Sequence, residues 1–126
     1  MNVEEIGKLI PNDWLQKYWD EFFEMSEKIT KTLIISKAVE QKWTKPMKSL
    51  ADYDCFLAAE AEKQRMSIDE VRHFLVEAGR LKARNYIFEK HCVPLLPKDE
   101  EGWCVASRET LLKFVNQSIK DANIRF

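Results

Sequence analysis

The stretch "GRLKARNYIFEK", residues 79–90, gathers four cations around one amide: Arg80, Lys82, Arg84 and Lys90, with Asn85 between them. These side chains suit nucleic-acid recognition. A guanidinium fork can donate two hydrogen bonds to guanine, an amide pairs in the same way with adenine, and lysine neutralises phosphate. If Leu81, Ile87 and Phe88 turn inward, helical spacing sends Arg80, Arg84 and Asn85 outward from the N-terminal end of a helix. That end enters the major groove in helix-turn-helix modules. The same residues also suit a solvated helix face with ordinary salt bridges to Glu77 and Glu89. Lys98 and Arg108, on the two sides of the next loop, are the candidates for contact with a nucleic-acid backbone.

Other chemistry finds little support. His73 and His91 are far apart and have no neighbouring ligands. Cys55, Cys92 and Cys104 lack metal-ligand spacing, and an odd count of cysteines reads as buried thiols in a reducing compartment. Asp52-x-Asp54 lacks the remaining ligands and the glycine of a calcium loop. No glycine-rich phosphate cradle, nucleophile elbow or zinc-protease motif is present. The expectation is a non-enzyme with no catalytic residue, no metal and no cofactor.

The chain that must position these residues has 126 amino acids, 45% of them hydrophobic and 33% charged. That balance gives a globular domain with a core of its own. Only 3 Gly and 4 Pro leave little room for long loops and favour helix. The net charge is −1, so any charge for binding DNA has to be local. No apolar run approaches the roughly 20 residues of a membrane span, and no targeting segment is visible at the N-terminus. A cytoplasmic protein is expected.

"NVEEIGKLI" is a short amphipathic segment, and Pro11-Asn12-Asp13 makes a break and an N-cap. From there Trp14, Tyr18 and Phe22 fall on one helical line and Leu15, Trp19 and Phe23 on the next. This aromatic surface is mostly core, but it is wider than one neighbour usually covers. Trp14, Tyr18, Trp19, Phe22 and Phe23 are therefore candidates for a homodimer or partner interface. Helix continues through Leu33, Ile34, Ala38 and Val39, with an interruption near Thr30 or Thr32, and Pro46 ends it. Ser49 caps a helix carrying Leu50, Tyr53, Phe56, Leu57 and Ala61 on one face. Ser67 and Glu70 form a capping box for a helix using Val71, Phe74, Leu75 and Ala78, which Gly79 stops. A further helix spans about Leu81 to His91, and Val93-Pro94 forbid its continuation. "PLLPKDEEGWCV" follows as a hairpin with Gly102 at positive φ, Trp103 and Val105 returning to the core. Ser107 caps a last helix with Leu111, Leu112, Phe114, Val115 and Ile119.

Three strings, "SIDEVRHFL", "ARNYIFEKHCVPLL" and "GWCVASRETLLKFV", together resemble the winged-helix DNA-binding module of the excisionase and MerR families. The likeness covers residues 67–116. It is most specific at Gly102, Trp103, Val105, Ser107, Arg108, Glu109, Leu111 and Phe114. Two departures stand out. "VEAGRLK" is longer than the family's tight turn, and the wing tip, Asp99-Glu100-Glu101, carries acids where phosphate contact wants cations.

The expected fold is mainly α, a helical bundle with a winged-helix-like C-terminal half containing one small β-hairpin. Residues 1–66 form a helical region for packing or dimerisation, and residues 67–126 form the winged-helix-like module. The resemblance implies a small regulator or accessory factor that binds double-stranded DNA through Arg80, Lys82, Arg84, Asn85, Lys90, Lys98 and Arg108. The alternative is a protein-interaction module, such as an adaptor, inhibitor or assembly factor, that keeps the shape without binding DNA.

Overall fold

The computed structural model describes residues 1–11 and 13–121. The fold is mainly α. It contains α1 (Val3–Leu9), α2 (Trp14–Lys17), α3 (Trp19–Glu40), α4 (Leu50–Gln64), α5 (Ile68–His91), a 3-10 turn (Val93–Leu95) and α6 (Arg108–Asp121).

Local chemistry accounts for the helix starts. Asn2 with Glu5, Ser49 with Asp52, and Ser67 with Glu70 each form a capping box that satisfies two orphan amides. Ser107 Oγ accepts from the Thr110 amide at 3.2 Å and opens α6. Asp13 precedes α2 but makes no side-chain cap, and Asn12 of the expected break lies outside the described residues. The chain breaks step at Tyr18 before α3 begins.

Helix α3 runs without interruption through both threonines. The Thr30 and Thr32 hydroxyls donate to the carbonyls of Ser26 and Lys28, one turn back, at 2.7 and 2.9 Å. That return bond lets threonine sit inside a helix without competing for its backbone. The helix ends at Glu40, before Pro46.

Helices α3 and α5 form the long pair of the fold, and α4 packs chiefly on α5. Two cores lie along the pair. One unites Ile6, Trp14 and Phe22 with Ile87, Phe88 and Phe114, so both halves of the chain build it. The other gathers Ile34 and Ala38 of α3, Phe56, Leu57 and Ala61 of α4, and Val71 and Leu75 of α5. Each fully buried Val, Leu, Ile or Phe side chain contributes about 1.5–3 kcal/mol relative to exposure. Helix α1 packs against α6 and closes the first core. The side chain of residue 119, expected on the apolar face of α6, lies outside what the structure describes.

The second half of the chain departs further from expectation. First, Gly79 does not stop a helix: α5 passes straight through it for 24 residues. Gly79 keeps negative φ, and the glycine with positive φ is Gly102. The missing side chain at Gly79 serves helix contact instead, because α3 crosses there against Thr30. Second, no two-stranded hairpin forms among the described residues. Lys98 and Cys104 make a single antiparallel bridge. Pro97 has no amide to extend the ladder, and Asp99 Oδ1 takes the amides of Glu101 and Trp103, both at 3.0 Å, folding the tip into a tight turn. Third, Trp103 is 70% exposed and Val105 48%. The bridge turns Cys104 toward the core, so its two neighbours point away.

One continuous helix also sets one phase. Val71, Leu75, Gly79, Ala83 and Ile87 are buried at steps of four, which leaves Phe74 and Leu81 outside that stripe and exposed. Among the described residues no helix is long and apolar enough to cross a membrane.

Candidate interaction surfaces

The cations of residues 80–90 do not share one free face. Because α5 begins at Ile68, Arg80, Lys82, Arg84 and Asn85 stand in mid-helix, and the capped N-terminus of α5 lies about three turns away. Arg84 is half-buried and donates to Asn116 Oδ1 of α6 at 3.2 Å; desolvation lowers its pKa. Asn85 lies beside Arg108 and Leu112 in a shallow hollow between α5 and α6. Arg80 leans toward Glu77 at 4.0 Å. Lys90 donates to Glu21 Oε1 at 2.6 Å, which raises its pKa above the ordinary lysine value. Lys82, Lys98 and Arg108 are exposed.

Glu21 also binds His91, with Nε2 and Oε2 2.6 Å apart, and the imidazole stacks on Tyr18 at 4.0 Å between centroids. The two bonds to Lys90 and His91 hold the Glu21 carboxyl below its ordinary pKa. This cluster ties the start of α3 to the end of α5. Among the described residues no three of His, Cys, Asp and Glu come together as a metal-holding group.

The aromatic residues divide by burial. Trp14 and Phe22 belong to the core, and Trp14 meets Phe88 edge-on at 5.2 Å. Tyr18 and Trp19 are half-buried against the same core. Only Phe23 of the five reaches well into solvent, at 43% exposure, with its ring 4.6 Å from that of Trp19.

Phe23 stands at the lip of a cleft that periodicity did not reveal. The cleft is about 440 Å³ and lies between α3 and α4, with α5 at its base. Buried Ser26, Ile34 and Leu57 line it with half-buried Val76. Phe23 on α3 and Leu50 on α4 flank it in the open. Leu50 was expected in the core, yet it is 73% exposed, because α4 rests on α5 and stands off from α3 at this end. The signal available in sequence was slight: Leu50 follows the Ser49 cap directly, one residue into a helix whose buried positions begin at Phe56.

Comparison with protein-family models, with curated proteins and with solved structures finds no match.

Proposed function

We propose that this chain is a small non-enzymatic protein-interaction module. The observation that carries the reading is the cleft between α3 and α4, apolar at its base and flanked by exposed Phe23 and Leu50. A concave apolar surface with aromatic and leucine side chains at its edge is the usual form of a recognition groove. The electrostatics agree: Lys90 is bound to Glu21, Arg84 to Asn116, and the loop tip nearest Lys98 carries three carboxylates.

The second reading, a DNA-binding regulator, draws on exposed Lys82, Lys98 and Arg108. It has to work without a turn between its two helices, since α5 is continuous. Fluorescence anisotropy with mixed-sequence duplex DNA across a salt series separates the two. The interaction module is expected to show no binding even at low salt. Binding that falls steeply with salt and disappears in the Lys82/Lys98/Arg108 triple-alanine variant would establish the DNA regulator instead.

A further inference from the structure

The geometry points to a moving part: α4 is a lid that swings off the α3/α5 pair as a unit while the first core stays closed. The inference concerns motion, and it stands whatever the cleft binds.

The division of the core carries it. The first core draws on α1, α2, α3, α5 and α6 through Ile6, Trp14, Phe22, Ile87 and Phe114, and it contains no residue of α4. Helix α4 belongs to the second core alone, where Phe56, Leu57 and Ala61 meet residues of α3 and α5. Detaching α4 therefore breaks one core and leaves the other whole. Every other helix is tied into the first core and cannot leave without opening it. Sub-global opening follows such divisions, because the element with the fewest buried attachments has the smallest packing loss to overcome.

The attachment of α4 is also uneven along its length. From Leu50 to Cys55 no residue is buried, and the cleft of about 440 Å³ already separates this half from α3. Its polar ties run through solvent. Asp54 binds Arg72 of α5 at 2.7 Å with side chains 60% and 45% exposed, and Lys63 donates to Gln41 at the end of α3. Exposed ties of this kind add little to stability.

By contrast, α4 is complete in itself. Ser49 and Asp52 form its capping box, and the Met66 amide returns to the Ala61 carbonyl at 2.9 Å. Its second half, "AAEAEKQ", consists of strong helix formers. These features let it move as a helix. Left-handed Lys42 and Arg65 lie just beyond the ends of α3 and α4. A few residues outside the elements are enough to absorb the φ and ψ changes of a hinge. Lifting the lid uncovers Ala38, Val71 and Leu75 and joins them to the cleft floor at Ile34.

The test is native-state hydrogen exchange of the intact chain, followed by NMR in low urea. The slowest amides of α4 are expected to share one opening and to be at least about tenfold less protected than those of α3 and α5. Leu57→Ala, in the second core, should lower α4 protection further. Phe114→Leu, in the first core, should lower protection in α3 and α5 and leave that of α4 unchanged. Arg72→Gln should loosen α4 by no more than about fivefold. Equal protection in α3, α4 and α5 means one cooperative unit and overturns the lid. So does a fall in α4 protection with Phe114→Leu that matches the fall elsewhere. Protection that declines residue by residue from Leu50 is fraying of a helix end and overturns movement as a unit.

Discussion

A Cβ built on Gly79 would lie 2.2 Å from Thr30 Oγ1 and 3.2 Å from the Thr30 amide nitrogen. Helices α3 and α5 therefore meet with backbone almost against side chain, between the two cores. Small residues continue the contact on both helices: buried Ser26 one turn before Thr30, and buried Ala83 one turn after Gly79. The hydroxyls that would otherwise obstruct the crossing are turned back onto the α3 backbone, Ser26 to Phe22 at 2.8 Å and Thr30 to Ser26 at 2.7 Å.

Gly79→Ala should reverse the usual sign of its substitution. In an exposed helix interior the change gains about 1 kcal/mol. Here the methyl group must displace Thr30, and overpacking of this kind costs about 1–3 kcal/mol. Urea unfolding is expected to show a net loss of stability. Adding Thr30→Ala removes the Oγ1 clash but leaves the backbone contact, so it should recover only part of the loss. A stabilised Gly79→Ala protein would refute the close crossing.

The Glu21 cluster predicts the shape of the acid limb. The carboxyl is held below its ordinary value by Lys90 and His91, so the folded state favours its ionised form. A depressed carboxylate stabilises the fold fully above its unfolded pKa of about 4.3, and the contribution disappears as pH falls through the folded value. Lys90 has the opposite sense: raised in the fold, it contributes below the unfolded lysine value and loses that contribution at strongly alkaline pH. Melting temperatures of the wild type and Glu21→Gln should differ near neutral pH and converge as the solution is acidified below the carboxylate range. A difference independent of pH would remove the electrostatic account.

The three thiols should react in a definite order. Cys55 is exposed, Cys104 is partly covered, and Cys92 is buried with its pKa pushed up to about 11 by desolvation. Alkylation depends on thiolate and access. Iodoacetamide at pH 8 followed by peptide mapping should label Cys55 first and Cys92 only when the protein is unfolded. Rapid labelling of Cys92 in the native protein would contradict its burial in the first core.

Two helix ends carry a backbone strain that glycine relieves. Lys42 and Arg65 have φ of 57° and 56°, in the left-handed region. At each, the following amide reaches back to close the helix: Trp43 to Ala38 and Met66 to Ala61, both at 2.9 Å. The left-handed conformation costs a side-chain-bearing residue about 1–2 kcal/mol, offset by roughly 0.5–1 kcal/mol of extra chain entropy for glycine. Lys42→Gly and Arg65→Gly should each raise stability by up to about 1 kcal/mol in thermal or urea unfolding. Losses in both would mean the side chains contribute contacts that outweigh the strain.

Helix starts and turn chemistry were legible residue by residue. The capping residues Ser49, Ser67 and Ser107 and the positive φ of Gly102 follow from interactions within four residues, and such interactions need no distant partner. Burial of Trp14, Phe22, Phe56 and Ile87 was equally plain, since their spacing and size leave few alternatives. Gly79 marks the limit. Glycine at a helix end and glycine at a helix crossing look identical in sequence, and only the approach of Thr30, 49 positions earlier, distinguishes them. A helix stop at Gly79 would reset the phase of the residues after it, turning Leu81 inward and placing the cations at a helix N-terminus; the continuous helix does neither.

A mainly helical chain, most of its helix starts and the bulk of its core follow from local hydrogen bonding and apolar periodicity, which can be read along the chain. Tertiary packing alone decided that α5 is one helix, that Arg84 and Lys90 are engaged by Asn116 and Glu21, and that α4 stands off from α3 to open a cleft. These are relations between distant segments. They depend on how closely two helices approach and which faces they cover, and that distance is set jointly by both partners rather than by either stretch of chain.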